Sequence, residues 1–174
     1  NGQHVFLECC TQYIDLLQRL EVLGQTSAQD ALRVPIVRAG KTGWLTAAPL
    51  PAPLHLLPSF IGYPHLGWGD KFRVLYALAR IRFIDRAKTQ ERLGQESFLE
   101  WLRRHHQSQR AIDNFWNFIT LPVLNDEVSA VSAEMGLMTF QEGLLKGRTS
   151  AAIGYARIGL SVLMEDPTRR YLEA

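Results

Sequence analysis

Leu50-Pro51-Ala52-Pro53-Leu54-His55-Leu56-Leu57-Pro58 divides the chain into two kinds of sequence. Three prolines in nine residues forbid a long helix, because each removes a backbone donor and fixes φ. Yet the word is too apolar for an ordinary surface loop. Before it the chain favours short strands and one helix; after it, helical periodicity dominates. The predicted fold is therefore α+β, mainly helical, with a small antiparallel sheet.

Immediately upstream, Arg33 to Arg38 is rich in β-branched residues, Ala39-Gly40-Lys41 can turn, and Thr42 to Ala47 can return. This is the best hairpin in the sequence, and the sheet is expected to be built on it. Further back, His4 to Cys9 reads as a short strand. Thr11 to Leu23 reads as a helix with Tyr13, Leu16, Leu17, Leu20 and Leu23 at helical spacing and Gly24 as its stop.

Downstream, Asp70 can cap a helix reaching about Ala87, with Phe72, Leu75, Tyr76, Ala79 and Phe83 on one face. Ser97-Phe98-Leu99-Glu100 has the form of a capping box opening a helix to His105. Ser108 can cap the next helix, which carries Ile112, Phe115, Trp116 and Ile119 before Pro122. Ala130 to Leu145 predicts another, Ile153 to Leu160 a strand, and Asp166-Pro167 an N-cap followed by proline at the first helical position.

A length of 174 residues and 47% hydrophobic content suit a single domain with an ample core. The net charge of +2 argues against a general nucleic-acid binder. No apolar run is long enough for a bilayer-spanning helix, and the first residues lack the basic region of a signal peptide. Without an initiator Met, the sequence reads as starting partway through a larger protein. Cys9 and Cys10 are adjacent, which does not suit an ordinary structural disulfide and favours a reduced, cytoplasmic setting.

Chemistry-bearing motifs are scarce. There is no glycine-rich dinucleotide turn, no P-loop and no nucleophile elbow, and no Cys/His spacing suits a metal. His105 and His106 are neighbours on a helix and point about 100° apart. One physical signal stands out. Leu54, Leu56, Leu57, Phe60, Ile61, Tyr63 and Trp68 are followed by a helix bearing Lys71, Arg73, Arg80, Arg82, Arg86 and Lys88. Apolar and aromatic groups beside a basic face suit an apolar ligand channel or a membrane-surface contact; the alternative is core packing with a solvated basic face. On the membrane reading, the segment Leu54 to Trp68 and the helix from Asp70 form either the substrate entrance or a membrane-facing lip, with Phe60, Ile61 and Trp68 expected to contribute to membrane binding.

Five words, in order, carry a family resemblance. They are Asn1-Gly2-Gln3-His4; Pro49 through Leu57; Ser97-Phe98-Leu99-Glu100-Trp101-Leu102 with Gln107-Ser108; Phe115-Trp116 with Leu121-Pro122-Val123-Leu124-Asn125; and Arg170-Tyr171-Leu172-Glu173. Over almost its whole length the chain resembles the central part of the squalene-associated FAD-dependent desaturases. These include the hydroxysqualene dehydroxylases and belong to the amine oxidase and phytoene desaturase superfamily. The sequence departs from that pattern at Gly159, where the family tends to have proline, and at Glu8, where it tends to have a small residue.

The resemblance implies that residues 1–174 form the substrate-binding, partly helical domain of a flavin amine-oxidase-type fold. It further implies that the Rossmann-like FAD domain lies outside this chain. FAD is then the cofactor of the whole enzyme, and the chain alone is expected neither to hold it nor to be active. The substrate would be a squalene-type isoprenoid lipid, converted from hydroxysqualene to squalene in hopanoid biosynthesis. Gln3 and His4 become candidate catalytic groups if they lie near the flavin, His4 as a general acid; the alternative is that they begin a strand and bond locally. Leu54, Leu57, Phe60, Trp116 and Asn125 become candidate substrate contacts. Metal and nucleic acid are not expected. The expected location is cytoplasmic, peripheral to the inner face of the membrane, with self-association through exposed apolar surface. The rival reading is a non-catalytic helical interaction or membrane-contact module.

Overall fold

The computed structural model describes residues 4–173. The fold is α+β and mainly helical, with small antiparallel sheets. The strands β1 (Val5–Leu7), β2 (Thr26–Ala28), β3 (Arg33–Arg38), β4 (Lys41–Thr46) and β5 (Ile153–Ala156) form two sheets where the sequence predicts one. β3 and β4 are the expected hairpin. Its turn is tighter than predicted: Ala39 and Gly40 both take positive φ (49° and 73°), and Lys41 already pairs with Arg38. Two central residues of positive φ give the twist that antiparallel strands favour. The second sheet has the order β1-β5-β2, so strands far apart in the sequence meet on it. Gly154 lies at its centre, and a Cβ there would come within 2.3 Å of the Phe6 ring.

The first helix, α1 (Thr11–Arg19), is shorter than predicted. Glu21 turns out of it at φ 59°, and the Val22 and Glu21 amides bond back to the Leu17 and Gln18 carbonyls. This is a Schellman closure without glycine, and Val22 and Leu17 share a small apolar cluster beneath it. The apolar word forms one 3₁₀ turn, Leu54–Leu56, and the short helix α2 (Leu57–Ile61).

The helix α3 (Trp68–Phe83) starts before Asp70 and ends before Ala87. Ile84 is extended, and Asp85 caps a separate helix, α4 (Arg86–Gln95), that the periodicity did not reveal. The face of α3 also differs from expectation. Val74, Ala77 and Ile81 are buried, while Phe72, Tyr76 and Phe83 point out. In α5 (Phe98–Arg104) both halves of the predicted capping box form.

Ser108 caps a continuous helical run over 109–124: α6 (Gln109–Ala111), a π segment Ile112–Trp116, and α7 (Asn117–Leu124) with Pro122 inside it. Ser132 caps α8 (Ala133–Met138), which continues into a second π segment, Thr139–Leu145. The last helix, α9 (Leu160–Glu173), begins well before Asp166, so Pro167 is a buried interior residue rather than a first helical position. The Leu163 amide bonds to the Gly159 carbonyl, and Leu163 packs with Leu17, Leu20 and Val22 of the α1 region. That burial offsets the ladder bond lost at Pro167.

The main core is aromatic. The Trp116 and Phe140 rings lie 4.8 Å apart, and Phe98 lies 5.8 Å from each. The α5–α8 contact needs Gly136, where a Cβ would fall 2.4 Å from the Phe98 ring. Phe98 is fully buried and has no room to withdraw. Gly136→Ala is therefore expected to cost about 2 kcal/mol through overpacking. Chemical denaturation checks this: an unchanged midpoint means that the helices can part without cost. Among the described residues, no helix is long and apolar enough to cross a membrane.

Candidate ligand cavity

The cavity is built from the apolar word upward. Prolines force that segment into tight turns, and two contacts fasten it to the hairpin. The Ala48 amide donates to the His55 carbonyl at 2.8 Å. The Ser59 hydroxyl accepts from the Thr46 amide at 3.1 Å and donates to the Thr46 carbonyl at 2.9 Å. α2 is thereby held against β4. Phe60 turns inward and meets Phe115 edge-on at 5.4 Å. Tyr63 donates to the Asn114 carbonyl at 2.7 Å, and burial pushes its phenol up to about 12. Among the described residues the ring Nδ1 of buried His55 has no partner, and burial, then the Arg148 charge, hold its pKa below the usual value.

Between this segment and α3 lies a cavity of about 290 Å³. Leu54, Leu56, Leu57 and Phe60 form one wall, and Leu75, Leu78, Ala79 and Phe83 of α3 the other. Leu144 and Leu145 of the second π segment and Phe115 of the first close the back. Both π segments thus border the cavity, in keeping with their frequent place at binding sites. Arg82 contributes the single charged side chain of the lining.

Arg82 also borders a polar cleft with Gln141, Glu142 and Lys146. There Gln141 donates to the Ile81 and Ile84 carbonyls, satisfying the end of α3, and accepts from Arg86. Glu142 accepts from Lys146 at 2.7 Å and Arg86 at 3.0 Å, and the Lys146 bond leads in holding its carboxyl below the usual range.

The candidate residues are dispersed. Leu54, Leu57 and Phe60 line the cavity, although Phe60 is buried and so cannot belong to an exposed lip. Trp116 lies in the core with no exposed surface, its indole N–H donating to Gln107 at 2.9 Å, and lines no part of the cavity. Asn125 ends α7 in the left-handed conformation at φ 58°. His4 is exposed just before β1, and Gln3 lies outside the described residues. Sequence reasoning missed Leu75, Leu78, Leu144 and Leu145 as wall and Arg82 as the lining cation.

Chemically the cavity can bind but offers little else. Its lining has no nucleophile, carboxylate or imidazole. Among the described residues, no group of His, Cys, Asp or Glu is arranged to hold a metal. Nor is there, among the described residues, a glycine-rich strand–turn–helix of the kind that cradles a pyrophosphate. No known protein-family model and no curated protein matches this chain.

Proposed function

We propose that this chain is the substrate-binding portion of an FAD-dependent oxidoreductase of the flavin amine-oxidase type, acting on a squalene-type isoprenoid. The observation that supports it most is the cavity: an apolar chamber walled by the Leu54–Phe60 segment and α3, with one cation at its edge. A hydrocarbon ligand offers no charge to grip, so apolar enclosure is what its recognition requires. The absence of acid–base groups from the lining suits a domain that orients substrate for chemistry supplied elsewhere. Flavin, held by the Rossmann-like domain that the family resemblance implies, would supply hydride transfer. No step through it is derived from these residues.

At about 290 Å³ the chamber falls just below the usual range of about 300–1,000 Å³ for small-molecule sites. It suits the end of a long apolar chain, the remainder lying beyond the mouth. The test is titration of the full chain with squalene and with a fluorescent polyene. Leu57→Trp, which fills the chamber, is expected to weaken binding by at least about tenfold, the equivalent of two buried methylenes. Its unfolding midpoint should stay close to that of the parent. Equal affinity in the folded variant would remove the cavity from the argument.

A further inference from the structure

The outward face of α3 carries large, mostly exposed apolar groups. Trp68, Phe72, Tyr76 and Phe83 are 64%, 66%, 50% and 83% exposed. Their spacing puts them on one side of the helix, opposite Val74, Ala77 and Ile81. The patch extends beyond the helix. The Trp68 and Phe72 rings lie 6.4 Å apart, and Lys71 sits 4.9 Å over the Trp68 ring while donating to the Ile61 carbonyl, which draws exposed Ile61 alongside. At the other end Phe83 and exposed Leu54 share the lining of the cavity.

Charge decides what could cover such a face. Arg73, Arg80 and Arg82 are exposed on α3, and its single acid, Asp70, is buried. Arg80 and Arg82 make no ion pair among the described residues. A second copy docked face to face would set these arginines against their own kind with no acid between them. An anionic lipid surface meets both needs: acyl chains for the aromatic stripe, headgroups for the arginines.

We propose that this face of α3, with Leu54 and Ile61, rests in the interface of an anionic bilayer, the cavity mouth opening beside it. The inference deepens the reading above and rests on it for its purpose, since a lipid-soluble ligand then enters without crossing water. The small volume of the cavity fits the same arrangement, because the rest of a long ligand stays among acyl chains.

The experiment is co-sedimentation of the full chain with phosphatidylcholine vesicles, with and without phosphatidylserine. The parent is expected to bind the anionic vesicles and lose binding as salt rises. Trp68→Ser with Phe72→Ser should lower partitioning by at least about tenfold, given the apolar area removed. Arg80→Gln should lower it about fivefold on anionic vesicles only. These three residues line no part of the cavity, so all variants should bind the polyene as the parent does. Vesicle binding that ignores these changes, or equal binding to neutral vesicles, overturns the membrane assignment. So does a parent dimer that the double variant makes monomeric, which would give the face to a second copy. Loss of polyene binding by Leu57→Trp with vesicle binding intact bears on the cavity alone, so the two readings fail separately.

Discussion

Trp116→Ala is expected to lower the unfolding free energy by about 4 kcal/mol, the range for truncating a fully buried tryptophan. Trp116 has no exposed surface, and its ring is packed by Phe98, Phe115 and Phe140. It also satisfies buried Gln107, whose amide NH₂ donates to the Arg73 and His105 carbonyls, both at 2.9 Å. The variant therefore opens a cavity where α3, α5 and the 109–124 helical run meet, and bares one oxygen besides. Against a total of about 5–15 kcal/mol for a domain, that is a large share. The melting temperature should fall by about 12 °C. Trp116→Phe separates the two contributions: it keeps most of the volume, loses the N–H, and should cost about 1–2 kcal/mol. Thermal unfolding followed by far-UV circular dichroism checks both. An alanine variant that melts with the parent would mean that the aromatic cluster does not hold these helices together.

Where local chemistry decides an element, the sequence was readable. Ser97 and Glu100 satisfy each other's backbone groups whatever the surroundings, and the capping box is present with Ser97 N to Glu100 Oε2 at 2.8 Å. The β3–β4 hairpin needs β-branched strands and a residue tolerant of positive φ, and Gly40 supplies it. Elements that depend on distant partners were not readable. β2 is three small residues, Thr26 to Ala28, with no hydrophobic alternation of their own; they are a strand because β5 lies beside them. The π segments carry ordinary helical residues, so nothing local marks them. Pro167 looks like a helix start and is not, because the contact of Leu163 with α1 favours a helix that begins at Leu160.

The face of α3 shows the same limit more sharply. Its sequence holds two apolar stripes, one of small and branched residues and one of large aromatics. Helical spacing gathers Phe72, Leu75, Tyr76, Ala79 and Phe83 on one face but does not say which stripe is buried. The structure buries the smaller stripe together with Asp70 and Lys71, because Ser108 and Arg110 satisfy the first and the Ile61 carbonyl the second. Those partners come from other elements and leave no mark on the helix itself. The cavity is half legible for the same reason. The proline-broken word announces Leu54, Leu57 and Phe60, but the opposing Leu144 and Leu145 belong to a helix that only the folded chain brings near.

Asp70→Ala should cost about 3 kcal/mol at neutral pH and progressively less in acid. Asp70 is buried in the first turn of α3, where a negative charge also suits the helix dipole. The Ser108 hydroxyl donates to it at 2.7 Å while accepting from the Ala111 amide at 3.1 Å, so one hydroxyl links the starts of two helices. The Arg110 guanidinium completes the pair. Charged hydrogen bonds are each worth about 1.5–3 kcal/mol, and the low end applies to Arg110, which is largely exposed. Burial alone would raise the carboxyl's pKa. The Ser108 and Arg110 bonds, with the Gly67 amide, outweigh it and hold the pKa below its usual 3.8. A folded-state value below the unfolded one means stability that is fully present above about pH 4 and lost as pH falls through the folded value. His55 and His105 also have folded values below their usual 6.5, chiefly through burial, so they too withdraw stability as pH falls through about 6.5, equally in parent and variant. Urea midpoints compared between the two proteins from pH 7 downward should run parallel to about pH 4 and then converge, to within about 1 kcal/mol, once Asp70 is protonated. A gap that stays constant through that acid limb would show that the carboxylate's charge contributes nothing to joining the two helices.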